Sequence, residues 1–371
     1  MSLLLPRDVI FQLALADTIG PVTIGRIRQF CTRMGITLQE LTEYRAHDLV
    51  QHKFCSPALA ERIVRGFSSE AQLHATQTGD RCIQEKISWC TILDAEYPPL
   101  LLQLEAPPPL LFWQGSLVTA QERTIAFVGS RDATAYGQRC IDLLVPSLCE
   151  QRVHVISGGA RGIDSMAHRA VLAHGGRTTA VLGSGLLKPY PAEHKKLFAD
   201  IVSAGGCVLS SFSIDAPAAA GNFPARNRII AGLSERCIVV QAARESGALI
   251  TARWALDLGR DIGAVPGPID DPRAAGCNQL IAQGAQLITG PEDLGLPAIN
   301  SRAINSHQKP VPEKVIECPV FDHLAQIQHP VTVDYLVAQL ALPYEDIIHR
   351  LCALQERDVA RQDWAGLWSR S

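Results

Sequence analysis

The sequence predicts an α/β protein with a parallel sheet at its centre, a helical segment before it and a small mixed module after it. Three observations carry that expectation. From Thr124 onward, short apolar and β-branched runs alternate with helical patterns, as buried parallel strands do in βαβ units. Residues 1 to about 75 show helical periodicity. Residues 296–312, rich in Pro, Asn, Ser, His and Lys, separate the core from a last segment with its own pattern. The 371 residues suffice for two or three domains. The expected boundaries are 1–75, 76–295, a linker at 296–312, and 313–371.

In the first segment, Gly20 and Gly25 bracket a turn between two helical patterns. Turns of this kind occur in helix–hairpin–helix and SAM-like modules. A DNA-backbone contact and a plain interhelical turn are the two readings, and the plain turn is favoured, since no Lys or Arg lies in the turn. In the central segment, strands are expected at 124–128, 153–156, 178–182, 207–209, 237–240 and 262–265. Helices are expected at 136–150, through Ala167, Ala170 and Val171, and at 193–202. Ligands of such open sheets lie beyond the carboxyl ends of the strands, which is where this chain places Gly, Ser and Arg. The last segment reads as helices at 319–327, 332–340 and 344–355 followed by a hairpin, the order of a winged helix. Its third helix region carries Glu345, Asp346, Glu356 and Asp358 against Arg350 and Arg357. That balance suits packing or a protein partner better than a major groove.

Composition excludes several classes. No apolar run approaches the roughly 18 residues of a membrane span, and the N-terminus has no basic start, so no signal peptide is expected. Eleven cysteines without CxxC spacing point to a reducing cytoplasm and to no metal site. The net charge of −3 rules out a bulk polyanion coat. Yet between Arg123 and Arg228 twelve Lys and Arg face seven Asp and Glu, an excess of five.

The loops after the strands hold the candidate chemistry. Gly129-Ser130-Arg131 combines a close backbone approach with a guanidinium suited to phosphate. Gly158-Gly159-Ala160-Arg161-Gly162 precedes Asp164, and Gly183-Ser184-Gly185 closes the third strand. Each alone is compatible with an ordinary strand-to-helix turn; a parallel sheet would gather all of them at one edge. Lys195 and Phe198, three residues apart, share a helix face and suit a phosphate beside a base. Phe198 could equally be core. In Phe223-Pro224-Ala225-Arg226-Asn227-Arg228, two arginines and an amide precede Ile229-Ile230-Ala231, where a helix is expected to begin. That is either an anion site at a helix start or a basic first turn. Walker A, nucleophile-elbow and paired-carboxylate patterns are absent. Asp270-Asp271 could hold a metal or lie in a solvated loop.

Taken in order, VGSRDATAYG, ISGGARGIDSMAH, AVLGSGL, YPAEHKKL, FPARNRIIAGLS, SGALITA, GRDIGAVPG and GCNQLIAQGA resemble the DprA/Smf family, the DNA-processing proteins of natural transformation. The resemblance spans residues 127–285. It implies an extended Rossmann-like domain that binds single-stranded DNA, protects incoming strands and helps load the RecA recombinase. It also implies a homodimer through that domain, no catalysis and no cofactor. By the same resemblance, Arg131 is the phosphate-binding arginine, Lys195 its basic partner and Phe198 the stacking ring. Gly183 and Gly185 form the backbone loop, and Arg226, Asn227 and Arg228 lie in the most characteristic segment. With Gly129, Ser130, Gly158, Gly159 and Arg161 they make the expected DNA-binding set. His194 replaces a usual Asn, and Leu209-Ser210-Ser211-Phe212 replaces a usual Ile-Ser-Glu. The alternative is a nucleotide sensor or nucleotide N-glycoside-cleaving enzyme on a similar fold, but Val265-Pro266-Gly267-Pro268 lacks the PGGxGTxxE continuation of such enzymes.

Overall fold

The computed structural model describes residues 5–16, 19–295, 319–326, 331–340, 342–355, 360–362 and 368–370. The expected linker at 296–312 lies outside them. The chain divides into two compact units, Met1–Ile299 and Asn300–Ser371.

The first unit opens with helices α1 (Pro6–Leu15), α2 (Pro21–Met34), α3 (Leu38–Leu41), α4 (Ala46–Gln51), α5 (Pro57–Arg65) and α6 (Ser69–Gln84). Ile10, Leu13, Ile24, Ile27, Leu41, Leu49 and Ile63 are fully buried among them. The turn expected at Gly20 to Gly25 is shorter than its glycines suggest. Pro21 occupies the first helical position, where its missing N–H costs nothing, so Gly20 is the cap and Gly25 lies inside α2. Helix α6 runs straight through residue 75. Its Cys82 packs with Phe11 of α1 and with sheet residues such as Phe112, so helices and sheet share one core. Phe11 stacks on Trp89 at 4.2 Å between ring centroids.

The sheet has nine strands: β1 (Ser88–Thr91), β2 (Leu110–Gly115), β3 (Thr124–Val128), β4 (His154–Ser157), β5 (Thr178–Val181), β6 (Cys207–Ser210), β7 (Arg236–Val239), β8 (Asp261–Ala264) and β9 (Gln286–Leu287). Their order is β1-β2-β6-β5-β4-β3-β7-β8-β9. Strands β3 to β9 are parallel, and β1 and β2 add an antiparallel margin through Phe112 opposite Ser210. The sequence reading missed β1, β2 and β9. The first and last are short and partly or wholly exposed, and β2 follows a run of prolines rather than a βαβ rhythm.

Between the strands lie α7 (Ala135–Glu150), α8 (Ile163–Ala173), α9 (Lys195–Ser203), α10 (Asn222–Leu233), α11 (Gly247–Asp257) and α12 (Ala275–Ala282). Side chains of β3 alternate between two cores. Ala126 and Val128 join Ile229, Ile230 and Ala252 on the α10–α11 side. Ile125 and Phe127 join Ile141, Leu144 and Val171 on the α7–α8 side. From β3 the chain steps outward through β4, β5 and β6. It then returns to the other flank of β3 for β7, β8 and β9. The order therefore reverses at β3 and β7, and their carboxyl ends form the crevice where open sheets bind ligands. Helix α10 begins at Asn222 instead of near Ile229. Arg226 and Arg228 are consequently in its interior, away from its free N–H groups. Pro224 falls in the first turn, where proline is tolerated.

The second unit holds α13 (Pro319–Gln326), α14 (Val333–Leu340), α15 (Tyr344–Gln355) and the antiparallel pair β10 (Ala360–Gln362) and β11 (Trp368–Arg370). Val320, Leu324, Leu336, Ile347, Leu351 and Trp368 form its core.

Candidate nucleic-acid interface

The parallel strands bring the glycine-bearing loops together at one sheet edge. The Ser130 N–H donates to Gln241 O at 2.6 Å, and Ser130 O accepts the Ile163 N–H at 3.1 Å. Those two bonds tie the loop after β3 to the loop after β7 and to the start of α8. Gly129 is required there, since a Cβ would stand 2.5 Å from the Ile163 side chain. Beyond these loops opens a cleft of about 660 Å³ whose lining includes Arg131, Asp164, Phe223, Asn227, Ser246 and Thr251.

Arg131 is exposed at the mouth and has no ion-pair partner among the described residues. Its guanidinium carbon lies 5.0 Å from the Phe223 ring centroid. Phe223 in turn approaches Tyr190, which is 42% exposed, at 5.7 Å between ring centroids. Gly183 makes room for this, because a Cβ would stand 2.9 Å from Phe223. Lys195 is exposed at the start of α9 and also lacks an ion-pair partner among the described residues, whereas its neighbour Lys196 pairs with Asp200 at 3.1 Å. Arg161 is exposed and pairs with Glu193 at 2.5 Å.

Other expected residues are placed as supports. Phe198 is only 5% exposed and packs with Leu182, Leu197 and Ile201. Gly159, at φ +67°, lies so close that a Cβ would approach the Phe198 ring at 2.8 Å. A covered ring offers no face to a base, so the expectation of stacking by Phe198 is corrected. The accessible rings are Phe223 and Tyr190. Gly185 is buried against the Ile214 backbone, with its N–H donating to Ala216 O at 2.8 Å.

Arg226 is 4% exposed and donates to Gly158 O and, at 2.7 Å, to Val181 O. It thereby clamps the ends of β4 and β5. Gly158 cannot carry a side chain, because the guanidinium fills that space. Burial pushes the Arg226 pKa down to about 10, against the attraction of Asp164. Burial also pushes the Asp164 carboxyl up, opposed by Arg226 and by the Ala160 N–H at 3.2 Å. Asn227 donates to Gly247 O at 3.2 Å, joining α10 to the start of α11. Half-buried Arg228 donates to Ala106 O on the opposite side of α10. Within the basic triplet, then, Arg226 and Arg228 brace the backbone and Asn227 faces the cleft.

His194 and Ser210, at the two departures that the resemblance implies, keep local bonds. His194 Nδ1 donates to Gly159 O at 2.9 Å, holding the glycine loop from below. Ser210 Oγ donates to Ser184 O at 2.8 Å. Sequence reasoning passed over Phe223 and Tyr190 as site residues. The signal was present in their motifs, but only the fold sets the two rings beside Arg131. Asp271 is engaged by Arg273 at 2.9 Å, and among the described residues no cluster of three His, Cys, Asp or Glu could hold a metal ion. No helix among them is long and apolar enough to cross a membrane.

Comparison with known proteins agrees with this architecture. A family profile described as DNA recombination-mediator protein A matches residues 88–296. Protein Smf of Escherichia coli is 40% identical over 266 residues, covering 70% of this chain and 71% of that protein. DNA processing protein DprA of Bacillus subtilis is 40% identical over 212 residues, covering 57% and 71%. The crystal structure of DprA from Streptococcus pneumoniae superposes with a TM-score of 0.66 at 33% identity, over 77% of this chain and 96% of that one. A DprA structure from Helicobacter pylori, described as revealing a unique single-stranded-DNA binding mode, gives 0.50 at 26% identity, over 56% and 94%. The chain belongs to the DNA recombination-mediator protein A family, the DprA/Smf proteins.

Proposed function

We propose that this chain is a non-catalytic, sequence-tolerant single-stranded-DNA-binding protein of the cytoplasm. It protects strands during natural transformation and delivers them to RecA. The observation that carries the reading is Arg131, a guanidinium with no ion-pair partner among the described residues, beside the Phe223 ring at the mouth of the crevice. Phosphate on Arg131, Lys195 and Arg161 with a base against Phe223 or Tyr190 is the contact set this arrangement supports. Arg226 acts from beneath as a positioning residue. Affinity is mainly electrostatic, log K falling against log salt by roughly 0.7 per phosphate, and stacking adds about 1–3 kcal/mol per base. Duplex binds worse, because a crevice between loops does not admit paired bases. A homodimer through the Rossmann-like domain would join two crevices and raise avidity through effective concentration. The second unit, with three helices and a strand pair, fits a winged helix used for packing or a protein partner.

Fluorescence anisotropy with single-stranded and duplex oligonucleotides across a salt series tests the reading. Arg131→Ala and Lys195→Glu are expected to weaken single-strand binding and flatten the salt slope. Wild-type affinity in both variants would overturn the site. The crevice volume also suits a small ligand. Micromolar binding of a mononucleotide without strand binding would favour a nucleotide sensor instead.

A further inference from the structure

A second basic groove lies on the helical part of the first unit. Two hollows, of about 800 Å³ and 340 Å³, share Arg26, Gln29 and Arg33 and so run together along α2. Helix α2 carries three arginines and no acid. Arg28 lines the larger hollow and Lys53 the smaller, with Glu105 the single acid along either. Arg28 and Arg33 make no ion pair among the described residues. Arg26 donates to Phe54 O at 3.2 Å, and Arg33 lies over the Phe30 ring, its guanidinium carbon 5.7 Å from the centroid. Arg26 and Arg33 are seven residues apart on one helix, about 10 Å along its axis.

The groove is amphipathic. Val22 and Leu102, on its rim, are 63% and 51% exposed. Gly25 also lines it, and a Cβ there would meet nothing within 4 Å. Packing therefore gives no reason for a glycine in mid-helix. Its absence of side chain leaves the α2 backbone open to the groove. The far wall is anchored to α10 through the Arg228 bond to Ala106 O.

We propose that the α2 groove is a second nucleic-acid contact, taking the phosphodiester backbone of a single strand on Arg26, Arg28, Arg33 and Lys53. A row of cations beside exposed apolar side chains matches a strand that carries phosphates on one side and bases on the other. The site does not depend on the crevice reading. If both hold, a long strand bound at the crevice meets the groove at high effective concentration.

Labelled short and long oligothymidylates, titrated against the full chain over a salt series, separate the two sites. The Arg28→Gln/Arg33→Gln variant removes no hydrogen bond of the fold. It is expected to lower the long-strand salt slope by about 1.4, two contacts at roughly 0.7 each, and to leave binding of the short strand unchanged. Lys53→Gln is the second variant, with an expected drop of about 0.7. An unchanged slope in both variants, with wild-type thermal unfolding, overturns the proposal. An equal loss for short and long strands also overturns it, because the effect would then belong to the crevice. Polyglutamate competing for the groove as well as oligothymidylate does would assign it to an acidic protein and overturn the proposal too. Arg131→Ala in the same series reports on the crevice alone.

Discussion

Replacing Arg226 with Met tests whether the buried guanidinium, rather than local turn propensity, holds the crevice loops in place. Its head group donates to Gly158 O and Val181 O and faces the buried Asp164 carboxyl. Hydrogen bonds from a charged donor contribute about 1.5–3 kcal/mol each. Removing one member of a buried charge pair costs about 3–5 kcal/mol, because the other is left uncompensated. Arg226→Met is therefore expected to lower stability by about 3–5 kcal/mol, a large fraction of the roughly 5–15 kcal/mol typical of a domain. Adding Asp164→Asn should recover part of the loss, with a coupling of about 1–3 kcal/mol. Urea unfolding followed by tryptophan fluorescence measures all four corners of the cycle. The pH dependence supplies a second check. Burial raises the Asp164 pKa above its ordinary 3.8, so its ionisation destabilises the fold as pH rises through the folded value, and that penalty vanishes below the unfolded one. Without Arg226 the penalty grows, so the deficit of the single variant should shrink as pH falls toward 4. A loss under about 1 kcal/mol, or a double variant no more stable than the single, would refute the clamp.

Phe198→Ala is expected to cost about 3–5 kcal/mol of stability as a core truncation. Phe223→Ala should instead leave stability nearly unchanged and weaken single-strand affinity by about 1–3 kcal/mol; the reverse pattern in urea and anisotropy measurements would reinstate Phe198 as the stacking ring. Gly25→Ala should stabilise the chain by about 0.5–1 kcal/mol, read from urea midpoints, because α2 has room for the methyl group. Burial, with the Arg226 charge nearby, pushes the His168 pKa down to about 3. The folded state keeps this imidazole neutral while the unfolded chain protonates near 6.5. The stabilisation is complete above 6.5 and lost as pH falls toward 3, by up to about 1.4 kcal/mol per pH unit. In NMR the His168 ring shift should stay fixed down to the pH of unfolding.

Much of the central fold was legible because buried parallel strands carry their own signal. The runs at 124–128 and 207–209 match β3 and β6 closely, since nearly every residue there must be apolar. Strand β2 was not legible. Its place beside β6 follows from a long-range antiparallel pairing that no local pattern announces. Arg131 and Lys195 were legible as exposed cations in loops and first turns, and the structure leaves both without an ion-pair partner among the described residues. The roles of Phe198 and Arg226 stayed open in the sequence for one reason. A ring or a guanidinium looks the same in sequence whether it faces solvent or the core.

By itself, the sequence determined the α/β class, the glycine–serine–arginine loops and their order along the chain, because strand burial and turn chemistry are local constraints. Only the tertiary structure decided where each basic or aromatic residue sits and what it touches. The reversal of strand order at β3 and β7 creates the crevice, and helix α10 turns Arg226 inward onto two backbone carbonyls while presenting Phe223 to Arg131. Those assignments depend on burial and long-range proximity, which a linear pattern does not encode.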